Sequence, residues 1–202
     1  MPEMSEPKPM GQFLEMPDAE VLWYPGFFTT AEADAAFDTL SSNIAWKQET
    51  IKLYGKVIDM PRLTAWYGDA GKTYTYSGLT VTPIPWTEDL ERIRRRVDAI
   101  AAVTFNSVLL NFYRSERDSV SWHSDDEPEL GTNPIIASVS FGAPRIFQFK
   151  HKTRPELRAA IELTHGSLLL MRGATQHFWK HQIPKSSKPH AGRINLTFRI
   201  IQ

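Results

Sequence analysis

The sequence predicts an α+β chain, mainly β, with helices near the N-terminus packed on a β core drawn from the second half. Two observations carry this. Helix-prone segments occupy roughly 29–40 and 87–100, and after about residue 104 the chain becomes a succession of short segments rich in β-branched and aromatic residues. With 202 residues, 42% of them hydrophobic, one domain with a substantial core is expected.

Residues 1–18, with scattered prolines, read as a flexible N-terminal tail, and 19–202 as a single domain. The first helix is announced by Thr29, three before Glu32, a capping-box spacing ahead of AEADAAFDTL. The second follows Thr87, with Glu88, Asp89 and Glu91 in its first turn and Leu90, Ile93, Val97 and Ile100 on one face. Arg92, Arg94, Arg95 and Arg96 lie mostly off that face, as a helix surface or a basic patch. Then come VLLNFY, SVSWHSD, IIASVSFG, RIFQFK, AAIELTH, SLLLMRG and INLTFRII, with turns at Gly142-Ala143-Pro144 and His165-Gly166. Many short strands in succession predict a sandwich, jelly roll or barrel.

The absence of cysteine excludes disulfides, zinc-thiolate sites and iron–sulfur clusters. The acidic, Pro-rich N-terminus lacks the apolar region of a secretory signal, and no apolar run approaches membrane-spanning length. A cytoplasmic, soluble monomer with no membrane partner is expected. The net charge of zero hides an asymmetry: residues 1–50 hold nine acids and two bases, and residues 51–202 fourteen acids and twenty-one bases. A basic body of this kind steers polyanions.

Chemistry concentrates in two places. His123 and Asp125 stand two apart in a strand-like segment, which puts one imidazole and one carboxylate on the same face. A second histidine would complete the two-His, one-carboxylate set that leaves positions open on iron(II). His177 and His181, in TQHFWKHQIPK, are the candidates, and the residues alone do not separate them. In the last strand Arg193, Asn195, Thr197 and Arg199 alternate with Ile194, Leu196, Phe198 and Ile200. A polar face with two guanidiniums suits a dicarboxylate, which guanidinium pairs bidentately.

Asn111-Phe112-Tyr113, His123-Ser124-Asp125-Asp126-Glu127, Ala137-Ser138-Val139-Ser140-Phe141-Gly142, His181 ahead of Ile183-Pro184, and Arg193-Ile194-Asn195-Leu196-Thr197-Phe198-Arg199 resemble, in order and spacing, the AlkB family of Fe(II)/2-oxoglutarate-dependent dioxygenases. The likeness is closest to its DNA-repair branch and runs from about Leu53 to the C-terminus. It implies a double-stranded β-helix, a jelly-roll variant buttressed by helices. It implies His123, Asp125 and His181 as iron ligands, His181 being preferred because Gln182-Ile183-Pro184 follows it. Asn111, Tyr113, Arg193, Asn195, Thr197 and Arg199 would hold 2-oxoglutarate, with Arg193 on the distal carboxylate and Arg199 nearer the iron.

Tyr54, Gly55 and Lys56, the Met60-Pro61-Arg62 step, and Tyr74 and Tyr76 resemble nucleotide-recognition segments, while Asp126 and Glu127 are placed to accept from an exocyclic amine. The implied activity is oxidative demethylation of alkylated DNA, with RNA as a further partner. Lesions such as 1-methyladenine and 3-methylcytosine would be reversed with Fe(2+), 2-oxoglutarate and O2, releasing formaldehyde, succinate and CO2. A 2-oxoglutarate hydroxylase acting on RNA, protein or a small molecule, and a non-catalytic nucleic-acid-binding β domain, are the alternatives.

Overall fold

The computed structural model describes residues 10–53, 56–72, 74–76 and 79–202. Two strands, β1 (Gln12–Leu14) and β2 (Glu20–Tyr24), precede helix α1 (Thr30–Asn43). Next come the antiparallel pair β3 (Thr50–Leu53) and β4 (Lys56–Asp59), then β5 (Leu63–Gly68), the pair β6 (Tyr74–Tyr76) and β7 (Leu79–Val81), and helix α2 (Glu88–Ala101). The remainder is strand: β8 (Ser107–Tyr113), β9 (Val120–His123), β10 (Ile136–Gly142), β11 (Arg145–His151), β12 (Arg158–Leu163) and β13 (Ser167–Arg172). A single helical turn, α3 (Thr175–Phe178), leads to β14 (Trp179–Ile183) and β15 (Arg193–Arg199).

The strands form a seven-stranded sheet, ordered β1-β2-β13-β10-β15-β8-β5, facing a four-stranded sheet ordered β12-β11-β14-β9, a jelly-roll arrangement. Each face of the large sheet has its own core. On one face Val108, Leu110, Val139, Phe141, Ile194, Leu196 and Phe198 pack with Leu40 of α1 and Leu90, Ile93 and Val97 of α2. On the other, Ile136, Leu169 and Met171 meet Phe147, Phe149, Trp179 and Ile183 of the small sheet. The alternation in β15 follows from this: its apolar side chains face the helices, and its polar ones face the space between the sheets. β15 is a central strand, paired with β10 and β8, and every residue of it is buried.

Both helices start as their sequences predict. Thr29 accepts from Glu32 N at 3.3 Å while Glu32 accepts from Thr29 N at 2.8 Å, so two otherwise orphaned donors are satisfied reciprocally. Thr29→Ala is expected to cost about 1 kcal/mol of stability, measured by chemical denaturation. No change would show that the cap is redundant.

Three differences from the sequence reading have local causes. Residues 12–14, within the segment read as a tail, pair with β2, and Met16 beyond them is buried. The first half contributes strands as well as helices, because β2 and β5 carry enough β-branched and aromatic residues to extend the large sheet. β9 ends at His123, so Asp125 lies in the segment after it, and the expected strand alternation is not what brings the two together. The predicted turns are built on glycine at φ +88° for Gly142 and +73° for Gly166. A Cβ at Gly142 would stand 2.4 Å from the Gly192 carbonyl oxygen, so the turn into β11 requires glycine on both counts.

Candidate metal centre and diacid slot

His123 and His181 are register partners on the antiparallel strands β9 and β14, with ring centroids 4.3 Å apart. Asp125 closes the group: its Oδ2 is 3.5 Å from His181 Nε2, and one donor atom from each of the three lies within 4.8 Å of the others. The neighbours hold each group in place. A carbonyl only accepts, so the 2.8 Å contact between His123 Nδ1 and Ser121 O fixes the proton on Nδ1 and leaves Nε2 with its lone pair. Phe147 stacks on the His181 ring at 5.1 Å. Asp125 N donates to Gln176 Oε1 at 2.9 Å, and Ser124 Oγ donates to the Trp179 carbonyl, which anchors the segment beyond β9.

The electrostatics suit a cation. Burial, reinforced by neighbouring His181, pushes His123 down to about 4, so its imidazole is neutral at physiological pH. Burial acts to raise Asp125, but the Arg199 guanidinium and the two histidines outweigh it and hold the carboxyl well below the usual range. Two imidazoles and one carboxylate are the donor set for a divalent ion with open positions, so the residues fit iron(II). His177, the alternative to His181, is exposed on α3 and takes no part.

A cavity runs from this cluster between the sheets, lined by Leu109, Asn111, Tyr113, Asn195, Thr197 and Arg199 among others. Cross-strand register explains the grouping. Arg193 stands opposite Tyr113, Asn195 opposite Asn111 and Thr197 opposite Leu109, and directly opposed residues share a face. Arg199 marks the metal end by pairing with Asp125. Arg193 lies just beyond the other end, outside the cavity's lining, with its guanidinium 5.1 Å from the ring centroid of Tyr113, which does line it. Burial lowers Arg193 to about 10, and it remains charged at neutral pH. Its Nη2 donates to Ser140 Oγ at 2.9 Å, but Nε and Nη1 are buried with no partner among the described residues. A buried guanidinium with two idle donors at the end of a slot fits a carboxylate.

Asn111 and Asn195 play different parts. Asn111 Oδ1 accepts from Arg62 Nε at 2.6 Å, which leaves its NH2 for the slot. Asn195 is consumed within the protein: its Nδ2 donates to Ser138 Oγ and Val139 O, and its Oδ1 accepts from Thr197. It orients the wall more than it offers donors.

A second cleft, about 360 Å³, opens from the cluster toward Met60, Pro61, Arg62, Trp66 and Trp122, a size that suits a base-sized ligand. Glu127 lines it, and Glu127 Oε2 is buried without a hydrogen-bond partner among the described residues. Asp126 is exposed and paired to Lys152 at 2.9 Å, so the two acids are not equivalent. Tyr54 and Gly55, and the side chains of Lys56, Tyr74 and Tyr76, lie outside the described residues.

The sequence reading missed Arg62 as a slot residue, and Arg145 and Gln176 altogether. Arg145 is buried and donates to the carbonyls of Ser115, Asp118 and Pro184, tying together the segments that follow β8 and β14. It had a signal, since Arg145 is in phase with the inward Phe147 and Phe149. Gln176 had none.

Comparison with known proteins agrees with this geometry. The model of the 2OG-Fe(II) oxygenase superfamily matches residues 20–199. The human alpha-ketoglutarate-dependent dioxygenase alkB homolog 3 is 46% identical over 192 residues, covering 91% of this chain and 66% of that protein. The human DNA oxidative demethylase ALKBH2 is 45% identical over 188 residues, covering 88% of this chain and 72% of that one. The chain thus spans about two thirds of the length of the alkB homolog 3 relatives it matches. The solved structure of OsALKBH1 superposes with a TM-score of 0.62 at 16% identity, covering 95% of this chain and all of that one, a likeness of fold.

Proposed function

The chain belongs to the AlkB family of 2OG-Fe(II) oxygenases, and on that premise we propose that it is a DNA oxidative demethylase. It would repair N-alkylated bases such as 1-methyladenine and 3-methylcytosine, with release of formaldehyde, succinate and CO2. One observation carries the reading: the 360 Å³ cleft meets the His123–Asp125–His181 cluster and presents the unpaired carboxylate oxygen of Glu127 beside it.

When bound, iron(II) with 2-oxoglutarate and O2 supplies oxidation of an unactivated N-methyl carbon. His123, Asp125 and His181 would hold the iron. Arg193 and Tyr113 would grip the distal carboxylate of 2-oxoglutarate, with Asn111 donating along the slot and Arg199 at the metal end. Asn195 and Thr197 would shape the wall. Glu127 would accept from the exocyclic amine of the extruded base and favour its positive charge, since the attraction is strong where water is excluded. Met60 and Trp66 would bound the base. Tyr54, Gly55, Lys56, Tyr74 and Tyr76 would contact the nucleotide, the tyrosines by stacking, and Asp126 would act through its pair with Lys152.

The test is formaldehyde release from single-stranded oligonucleotides carrying 1-methyladenine or 3-methylcytosine, with iron(II) and 2-oxoglutarate. Release from the methylated strand alone is expected. Turnover of 2-oxoglutarate indifferent to the methylated base overturns the reading. Glu127→Gln keeps the shape and removes the charge. It is expected to lower kcat/KM about ten- to a hundredfold, the worth of one hydrogen bond to a charged group.

A further inference from the structure

The small sheet has an inner face, which carries His123 and His181, and an outer face to which the reaction assigns nothing. In β11, Arg145, Phe147, Phe149 and His151 are buried, so Ile146, Gln148 and Lys150 point outward. The same alternation turns Lys180 and Gln182 outward in β14. Register sets Lys150 opposite Arg158 on one side and opposite Lys180 on the other. Three cations therefore stand in one row across three strands, about 10 Å long at a strand spacing near 4.8 Å.

Fold stability does not call for this row. Like charges directly opposed on neighbouring strands destabilise a sheet. Among the described residues no carboxylate forms an ion pair with Lys150, Arg158 or Lys180. Glu162, the outward acid of β12, stands opposite Ile146 and four residues from Arg158. The arginines of α2 are different: Arg92, Arg94, Arg95 and Arg96 pair with Asp89, Asp69, Glu91 and Glu32 respectively. That helix is a neutralised surface, and the row on the small sheet is not.

The row also leads somewhere. Lys150 Nζ lies 4.5 Å from the ring centroid of Trp122. Trp122 lines the 360 Å³ cleft and immediately precedes His123. An aromatic at the lip of a base-sized cleft, continued outward by cations without carboxylate partners, is the arrangement that tracks a single strand by stacking and phosphate contact.

We infer that the outer row Arg158–Lys150–Lys180, joined to the cleft by Trp122, binds the backbone of the single-stranded DNA flanking the base in the cleft. The inference rests on the demethylase reading and gives it a direction: one flank of the strand leaves the cleft over Trp122 and crosses the small sheet.

The experiment compares wild type, Lys150→Ala/Lys180→Ala and an off-row control, Arg92→Ala/Arg95→Ala. Demethylation is measured on a methylated trinucleotide and on a 15-mer, and binding of an unmodified 15-mer by fluorescence anisotropy across salt. The row variant is expected to lose the advantage of the 15-mer over the trinucleotide. Its slope of log affinity against log salt should shrink by about 1.4, at about 0.7 per released phosphate contact on a single strand, which is about 25-fold in affinity at 0.1 M salt relative to 1 M. The control should match wild type. A row variant with the wild-type length advantage and salt slope overturns the inference, as does an equal loss in the control. If wild type demethylates neither oligonucleotide, the demethylase reading fails on that result, and anisotropy still decides the row.

Discussion

His123→Ala is expected to abolish turnover while leaving the fold intact, and Asp125→Ala to abolish turnover and weaken the fold as well. Loss of activity should exceed about 100-fold in both, since even a residue that only orients a metal ligand costs up to that much. The structural consequences differ because the surroundings do. His123 is half-buried at the end of β9, and its ring bonds only to the Ser121 carbonyl, which is exposed. Removing it strands no charge. Asp125 is 2% exposed and carries the carboxylate that pairs with buried Arg199. Without it the buried guanidinium of Arg199 loses its contact with the Asp125 carboxylate, a defect worth about 3 kcal/mol. Asp125→Asn keeps the size and an acceptor, so it should lose turnover with a smaller loss of stability. Denaturation curves and iron titration on the same three variants separate these outcomes. Wild-type turnover in any of them removes these residues from the metal centre.

The same electrostatic arrangement bears on how metal and diacid depend on one another. Asp125 and Arg199 carry opposite charges in contact, and burial keeps His123 uncharged at physiological pH, so the acid of the cluster is already countered. A divalent cation brings two positive charges into a buried site, and a dicarboxylate brings two negative ones. Each offsets the desolvation cost of the other. The chain's contribution is a metal end where Asp125 is already countered by Arg199, and a far end where Arg193 keeps its charge for the diacid.

How much of this could be read from the chain varies residue by residue. The face of β15 was legible because strict alternation of Arg193, Asn195, Thr197 and Arg199 with apolar residues survives only where both faces are specified. What the alternation could not say is that both faces are buried, since that depends on a second sheet supplied by distant strands. His181 was not separable from His177 by residue type. The choice is made by α3, a single turn that leaves His177 exposed before β14 places His181 opposite His123. β14 itself, Trp-Lys-His-Gln-Ile, is five residues with three consecutive polar ones in its middle, so it shows no alternation and does not stand out from a loop. Asp125 was expected beside His123 through strand geometry. It arrives there because its own N–H donates to Gln176 and the neighbouring Ser124 hydroxyl donates to the Trp179 carbonyl, both more than fifty residues downstream, which no local pattern encodes. The contrast between the arginine-rich α2 and the quieter cations of the small sheet has the same origin. Charge density in the sequence marked α2, but two of the four partners that neutralise it, Asp69 and Glu32, come from elsewhere in the chain.

Arg193→Met should raise the 2-oxoglutarate requirement about 100-fold while leaving the unliganded protein as stable as wild type, or more so. The opposed signs follow from one observation. Arg193 is 1% exposed, donates only Nη2 to Ser140, and keeps Nε and Nη1 buried without partners among the described residues. Burying unsatisfied donors costs about 1–3 kcal/mol, and the lowering of Arg193 to about 10 by burial expresses the same strain. Methionine fills similar volume without polar atoms, so that cost disappears in the unliganded state. In the liganded state the loss is that of a two-bond contact between guanidinium and carboxylate, about 3 kcal/mol, or close to two decades in affinity. Turnover at saturating 2-oxoglutarate should change far less, because Arg193 lies at the end of the slot away from the donor cluster. Thermal unfolding with and without 2-oxoglutarate gives both signs in one experiment, independent of activity. The unliganded melting point should hold or rise, and the ligand-induced shift should vanish. An unchanged shift would mean that the idle donors of Arg193 face no carboxylate, and the slot would then have to be read from Arg199 outward.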